Sequence, residues 1–253
     1  MTTGRLEVAA DGKVTGPAKI TYNDPFPTRN GSYGSGAMMG VVMHTQVGNN
    51  PGTVAWFNNP ASQASAHFCV AQDGQIVQMG PIGKGWIAWA EAAGNPAWYS
   101  IEHADNTDPA IPLTVEQITA SAQLVEVLSR FAGFPLQVSN STSEKGYGTH
   151  AMGGAAWGGH TSCPGTVRAA QRQQILDLAK QIRDVPDKVV HWRSMGLWSL
   201  AHEAAAHGTT PAEMIALAAK AGHVYGPAMK KYVAAGDWDK RLPAGTWLFA
   251  PER

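Results

Sequence analysis

Four residues in the first two thirds of the chain have the types that a catalytic zinc site requires: His44, His150, His160 and Cys163. Zinc binds imidazole nitrogen and thiolate sulfur, and a catalytic site takes three such ligands and leaves one position for water. His160 and Cys163 lie in "GGHTSCPG", which is equally compatible with half of a disulfide or with an ordinary tight loop. The residue types therefore allow a hydrolytic metal centre without requiring one.

The segments around these residues predict an α/β fold. "GVVMHT" has the pattern of a buried strand that ends near His44, "AHFCVAQDGQIVQMG" that of a hairpin, and "WYSIEHA" that of a further strand. Thr114 and Gln117 predict a capping box at the start of a helix that Gly133 ends. A second amphipathic helix is predicted over "TVRAAQRQQILDLAKQI", with one face formed by Val167, Ala170, Ile175, Leu178 and Ile182. Strands interleaved with helices place a site at the strand ends.

Composition excludes some classes of function. The 253 residues, 44% of them hydrophobic, suffice for one full-sized core and a small second domain. Nineteen basic residues balance nineteen acidic ones, so no overall field favours nucleic acid as a partner. No apolar run approaches the ~18 residues of a membrane span, and no basic segment leads into an apolar run at the start. We therefore expect no membrane insertion and synthesis in a cytoplasm without a signal peptide. Two cysteines, Cys69 and Cys163, are too few for a disulfide framework.

A change of pattern at "RDVPDK" predicts two domains. The first covers residues 1–183 and begins with a hairpin within residues 1–30. Residues 184–189 form the linker. The second domain, residues 190–253, reads as a strand, two helical runs and a last strand, which is a small βααβ arrangement.

Four motifs together resemble one enzyme family: "VVMHT", "SAHFCVAQDGQIVQ", "YSIEHADN" and "THAMGGAAWGGHTSCPG". They resemble the zinc-dependent N-acetylmuramoyl-L-alanine amidases of the amidase-2 and peptidoglycan-recognition type, in particular the endolysins of phages that infect actinobacteria. The resemblance runs from about Gly40 to Arg183. It implies a mixed central sheet flanked by helices, and hydrolysis of the amide between N-acetylmuramic acid and L-alanine in bacterial cell-wall peptidoglycan.

The resemblance also implies roles for individual residues. His44, His150 and Cys163 match the zinc ligands, Glu102 the acidic residue that transfers protons, and Thr161 a hydroxyl group that stabilises the developing oxyanion. The second histidine does not match fully, because His150 lies further from the Cys-Pro-Gly than the family's histidine does. We prefer His150, which follows the apparent strand "GYGTH" and leaves "GGAAWGG" as a loop insertion, over the alternative His160.

Other positions concern the substrate. Ala66 stands where some relatives carry a tyrosine that assists catalysis, so that role falls to another group such as Glu102. His67, Trp89 and His160 are candidates for substrate binding. For His67, its alternation with Cys69 is equally consistent with a buried structural imidazole. The expected assembly is a monomer that acts on the cell wall after release from the cell.

The C-terminal segments "GLWSLAHEAAAHGTTPAEMIALAAK" and "LPAGTWLFAPE" resemble the lysin motif, a small module that binds glycans containing N-acetylglucosamine. The resemblance implies that this domain binds the cell wall. Aromatic residues that would stack on sugars, or would simply form the core of a small domain, are Trp192, Trp198, Trp238 and Trp247.

Two alternative functions use the same residues differently. A non-catalytic peptidoglycan-recognition protein on the same fold typically lacks the cysteine ligand, so Cys163 argues against it. A structural or interaction protein that merely contains zinc leaves Glu102 without a role. Hydrolysis of the cell wall therefore accounts for more of the sequence than either alternative.

Overall fold

The computed structural model describes residues 5–24, 26, 38–83, 85–184, 189–191 and 247–249. The chain divides into two compact units. One comprises Leu6–Ala179, and the other comprises Met1–Arg5 together with Lys180–Arg253. Every candidate catalytic, metal-binding and substrate-binding residue belongs to the first unit.

The described residues form short strands and four α-helices. The strands are β1 (Glu7–Val8), β2 (Val14–Thr15), β3 (Ile20–Tyr22), β4 (Gly40–Thr45), β5 (Phe68–Val70), β6 (Ile76–Gln78), β7 (Trp98–His103), β8 (Gly146–Thr149), β9 (Val189–His191) and β10 (Trp247–Phe249). The helices are α1 (Asn50–Asn58), α2 (Val115–Ala132), α3 (Thr166–Ala170) and α4 (Arg172–Arg183), with 3-10 helices at Pro60–Ser62, Ala92–Gly94 and His150–Trp157.

Six strands form the main sheet, in the order β3-β6-β5-β7-β4-β8. The pairs β5–β7, β7–β4 and β4–β8 are parallel, whereas β5 and β6 form the predicted antiparallel hairpin. Helix α2 packs against β4 and β5, and α1 packs against β5. The mixed sheet with flanking helices is therefore confirmed. At the start of the chain, β1 and β2 form the predicted short hairpin.

Local sequence explains the two elements that matter most for the site. The apolar run Val41–Met43 of β4 is fully buried between β7 and β8, which carries the next residue, His44, to the end of the strand. Helix α2 begins with the predicted capping box: the backbone N–H of Gln117 donates to the Thr114 hydroxyl, and that of Thr114 donates to the Gln117 side chain. It ends at Gly133, whose φ of 73° suits glycine.

The second amphipathic helix differs from its prediction. The chain bends at Gln171 and forms two helices, α3 and α4, instead of one. Both backbone groups of Leu113 bind the Gln171 side chain, and Arg168 of α3 is fully buried. Val167 is consequently 42% exposed, so the predicted apolar face is wrong in its first turn and holds only in α4, where Ile175 and Ile182 are buried.

The "GGAAWGG" insertion is also more ordered than the predicted loop. It continues the 3-10 helix that begins at His150 and runs to Trp157, with a kink at Gly154 (φ 51°, ψ −139°). The backbone N–H of Ala151 donates to the carbonyl of Cys163 at 3.0 Å. The insertion thus returns Cys163 to a position beside His150.

In the second unit, β9 and β10 pair antiparallel, with Val190 opposite Leu248. The two helical runs predicted between them, and Trp192, Trp198 and Trp238, lie outside the described residues. The lysin-motif resemblance, like the linker at residues 184–189, therefore stays a prediction. Among the described residues, no helix has the length and apolar character needed to cross a membrane.

Candidate metal and catalytic site

His44 is the first of three grouped metal-ligand candidates and is 2% exposed. Its Nε2 lies 3.0 Å from Oε1 of Glu91, and its Nδ1 lies 4.0 Å from Oε1 of Glu102. Burial, and then the nearby His160, lower the pKa of His44 to about 3. The imidazole is therefore neutral at physiological pH, as a metal ligand must be.

His150 comes directly after β8 and is also buried. Its ring centroid lies 4.5 Å from that of His44. Because a backbone carbonyl only accepts hydrogen bonds, the Nε2 of His150, 2.8 Å from the carbonyl oxygen of Trp157, carries the proton. Burial, followed by the effect of His44, lowers the pKa of His150 to about 4. The neutral ring thus keeps its lone pair at Nδ1.

Cys163 supplies a half-buried free thiol beside the two imidazoles. Burial, and then the carboxyl group of Glu102, raise its pKa to about 12. A hydrogen bond from the Thr45 backbone opposes this rise. The neighbouring buried Arg168 donates to the Thr45 hydroxyl at 3.1 Å and to the carbonyls of His103 and Ala104 at 3.2 Å. It thereby connects the ends of β4 and β7 near the thiol.

The three side chains form one compact group. The potential ligand atoms of His44, His150 and Cys163 all lie within 4.8 Å of one another. His160 is not part of this group, although its ring centroid lies 4.7 Å from that of His150. The structure therefore places His150, and not His160, in the group of potential ligand atoms.

Glu102 stands beside this group at the end of β7, directly opposite His44 in the strand register. Its side chain is 12% exposed and lines the cleft, while the preceding Ile101 is fully buried in the core. Burial, and then the carboxyl groups of Glu91 and Asp105, raise the pKa of Glu102 well above its usual range. Its Oε2 has no hydrogen-bond partner among the described residues.

A cleft of about 720 Å³ opens over these residues. Thr161, Trp89 and His160 line it, as the sequence analysis expected of groups that touch substrate. His67 does not: it is fully buried, its Nδ1 lies 3.1 Å from the Ser100 hydroxyl and accepts from the Ser100 backbone N–H, and its ring packs edge-on against Trp86. The groove position for His67 is therefore wrong, and the structural alternative describes this residue.

The family model for N-acetylmuramoyl-L-alanine amidases, Amidase_2, matches residues 35–166 of the chain. The chain belongs to this amidase family. N-acetylmuramoyl-L-alanine amidase A of Achromobacter lyticus is 34% identical over 104 residues, which cover 41% of this chain and 58% of that protein. The chain thus spans little more than half the length of this relative.

Solved structures of amidases and related proteins are also similar to the chain. The hydrolase AmiA of Staphylococcus aureus aligns with a TM-score of 0.43 at 21% identity, covering 56% of this chain and 68% of AmiA. Drosophila peptidoglycan recognition protein SD aligns with a TM-score of 0.45 at 15% identity, covering 62% of this chain and 94% of that chain.

The sequence analysis of this amidase family member missed three residues of the site: Glu91, Trp157 and Arg168. Glu91 lies in an irregular segment that has no periodic pattern, and its partner His44 is 47 residues away. Trp157 acts through its backbone carbonyl, which has no signature in a sequence. The sequence analysis gave Arg168 no role, because its complete burial depends on carbonyl acceptors about sixty residues away in the chain.

Proposed function

We propose that the chain is a zinc-dependent N-acetylmuramoyl-L-alanine amidase. The reaction is hydrolysis of the amide between the lactyl group of N-acetylmuramic acid and the L-alanine of the stem peptide in peptidoglycan. The observation that carries the proposal is the placement of His44, His150 and Cys163 in one cleft beside a Glu102 oxygen that has no hydrogen-bond partner in the described part of the chain. Family membership and a 34% identical relative with that amidase name support the same reaction.

The donor set fits zinc. Two imidazoles and one thiol match the ligands that a catalytic zinc site takes from the protein. Both imidazoles have Nε2 within hydrogen-bond distance of an acceptor, Glu91 for His44 and the Trp157 carbonyl for His150. Such contacts leave Nδ1 of each ring as the ligand atom. When bound, zinc supplies Lewis acidity that activates water and polarises the amide carbonyl.

The chain's own groups then handle the protons. Glu102 takes a proton from the attacking water as the water oxygen forms a bond to the carbonyl carbon. The same carboxyl group gives that proton to the alanine nitrogen as the C–N bond breaks. Thr161 is exposed in the cleft, where its hydroxyl can donate to the developing oxyanion. Trp89 and the half-buried or buried apolar residues beside it form a wall on which the substrate can lie.

Metal analysis combined with product analysis tests the proposal. We expect about one zinc per chain, loss of activity with a chelator, and recovery when zinc is added back. Purified cell walls should release new amino termini of alanine without new reducing ends. A metal-free protein with full activity, or release of reducing ends alone, would contradict the proposal.

Paired histidine variants test the ligand assignment. His150→Ala should lose zinc, because His150 contributes an atom to the compact group. His160→Ala should keep most of it and change substrate binding instead, since His160 only lines the cleft. The opposite pattern of metal content would assign the ligand role to His160.

The biological setting that we propose is that of a phage-type endolysin, which reaches the wall after release from the cell and acts there as a monomer. The motif resemblance supports this setting. Added to suspensions of actinobacterial cell walls, the protein should lower the turbidity, whereas the chelated protein should leave it unchanged. Activity confined to soluble muropeptides would argue instead for a role in recycling wall fragments.

A further inference from the structure

We propose that Glu91 is a positioning residue for zinc binding: it fixes the ring of His44 so that Nδ1 faces the metal. The inference rests on the proposed function, because it concerns the same zinc site. Glu91 does not line the cleft and so does not touch substrate. It acts through His44, whose Nε2 lies 3.0 Å from its carboxyl oxygen.

The environment of Glu91 is unusual for a carboxyl group. The residue is fully buried, and burial raises its pKa well above the usual range. Its second oxygen, Oε2, has no hydrogen-bond partner among the described residues. A buried carboxyl group with one side-chain hydrogen bond is costly to maintain. A divalent cation on the far side of the His44 ring would offset that cost, since carboxylate, imidazole and metal then stabilise one another.

The backbone around Glu91 holds the carboxyl group in place. The side-chain oxygen of Asn95 accepts hydrogen bonds from the backbone N–H groups of Ala90 at 2.9 Å and of Glu91 at 2.6 Å. The carbonyl of Glu91 accepts from the N–H of Gly94 at 2.8 Å. We name residues 90–95 the Glu91 turn. Its internal hydrogen bonds mean that the glutamate is presented by a fixed element.

The Glu91 turn also contacts the support of the second histidine. The Trp157 ring packs so closely on Gly94 that a Cβ atom there would lie 2.6 Å from it. The carbonyl of Trp157 is the acceptor for Nε2 of His150. One short segment, "AEAAGN", therefore supports both imidazoles, directly at His44 and through Trp157 at His150.

Zinc affinity measured by competition with a chromophoric chelator tests the role of Glu91 independently of activity. Glu91→Leu replaces the carboxyl group by an apolar side chain of similar size and so removes the hydrogen bond to His44. We expect this variant to bind zinc about 10–100-fold more weakly than the parent protein. Glu91→Gln keeps an oxygen that can accept from Nε2–H, so it should recover most of the affinity. Side-chain ¹⁵N spectra of the zinc-loaded protein should show His44 protonated at Nε2 in the parent and the Gln variant.

Glu126→Gln is the matched control. Glu126 is also a fully buried carboxyl group, but it pairs with Arg130 at 3.1 Å in α2, away from the cleft. This variant should lose stability and keep its zinc affinity, which separates a local effect at His44 from a general loss of stability.

The outcomes distinguish the inference from the proposed function. A parent protein that binds zinc tightly, together with a Leu variant of equal affinity, would overturn the role of Glu91 and leave the amidase proposal standing. A Gln variant as weak as the Leu variant would also overturn it, because the hydrogen bond alone would then not position the ring. A parent protein that binds no zinc would refute the proposed function itself.

Discussion

Two glutamates flank His44, one at each ring nitrogen. Glu91 meets Nε2 at 3.0 Å and is closed off from the cleft, whereas Glu102 lies 4.0 Å from Nδ1 and lines the cleft. The two carboxyl groups contact the same imidazole but differ in their access to substrate. This difference assigns proton transfer to Glu102 and positioning to Glu91 in the mechanism that we propose.

Substitution of Glu102 by glutamine should separate proton transfer from metal binding. Glutamine has the size of glutamate and still forms hydrogen bonds, but it cannot take up the proton. We expect Glu102→Gln to lower turnover by about 10²-fold or more while zinc stays bound. Turnover on a soluble muropeptide and zinc content of the same preparation provide the measurement.

Glu116→Gln is the control for this experiment, because Glu116 is an exposed glutamate in the first turn of α2. It should retain normal turnover. Near-normal turnover of Glu102→Gln would mean that another group is the base. Loss of zinc in that variant would mean that Glu102 is itself a ligand.

Among the elements, strands β4 and β7 do most to build the site. They run parallel and pair in register, so that His44 and Glu102 emerge side by side at their carboxyl ends. Strand β8 lies on the other side of β4 and delivers His150 to the same edge. The ends of three adjacent parallel strands thus supply two imidazoles and the carboxyl group.

Sequence patterns predict these elements because each has a local signal. The apolar run before His44, the Asp73-Gly74 hairpin and the Thr114 capping box all depend on neighbours in the chain, and all three are present in the structure. The bend at Gln171 and the contact between Glu91 and His44 depend instead on partners about fifty residues away. Such long-range contacts leave no period or motif from which a single sequence could predict them.

The packing of the Glu91 turn on the Trp157 ring can be tested at Gly94. Gly94→Ala places a Cβ atom 2.6 Å from the rigid Trp157 ring, so the ring must shift. Because the Trp157 carbonyl holds His150, we expect zinc affinity to fall together with thermal stability. Gly133→Ala, where no atom lies within 4 Å but φ is 73°, should lower stability alone. Unchanged zinc affinity in Gly94→Ala would contradict the coupling between the turn and His150.

For the whole molecule, buried histidines make stability depend on pH. Burial lowers the pKa of His67 to about 3, below the value of about 6.5 expected in the unfolded chain. As the pH falls from about 6.5 towards 3, the unfolded state therefore binds a proton at His67 that the folded state does not bind. The contribution of His67 is fully present above about pH 6.5 and falls by up to about 1.4 kcal/mol for each pH unit from there down to the folded-state pKa of about 3.

His67→Asn tests this dependence, since the asparagine oxygen can still accept from the Ser100 backbone N–H but the side chain does not titrate. Urea unfolding between about pH 7 and pH 4 gives the free energy of unfolding of both proteins. The variant should be less stable near pH 7 and should lose stability less steeply in acid. Parallel pH profiles would show that His67 is protonated in the folded state, contrary to its burial.

The division of the chain into two units separates chemistry from wall binding in our proposal. Every proposed catalytic and metal-binding residue lies between His44 and Cys163, within the unit Leu6–Ala179. A chain that ends at Arg183 should therefore hydrolyse a soluble muropeptide at the normal rate. It should bind whole cell walls less well, because the lysin-motif resemblance lies entirely beyond that point.

Sedimentation with cell walls measures the binding. Both chain lengths should carry Glu102→Gln, so that cleavage does not remove the binding sites during the assay. Equal wall binding by the two lengths would show that the C-terminal segment has another role, and loss of muropeptide hydrolysis on truncation would show that the first unit is not sufficient for the chemistry.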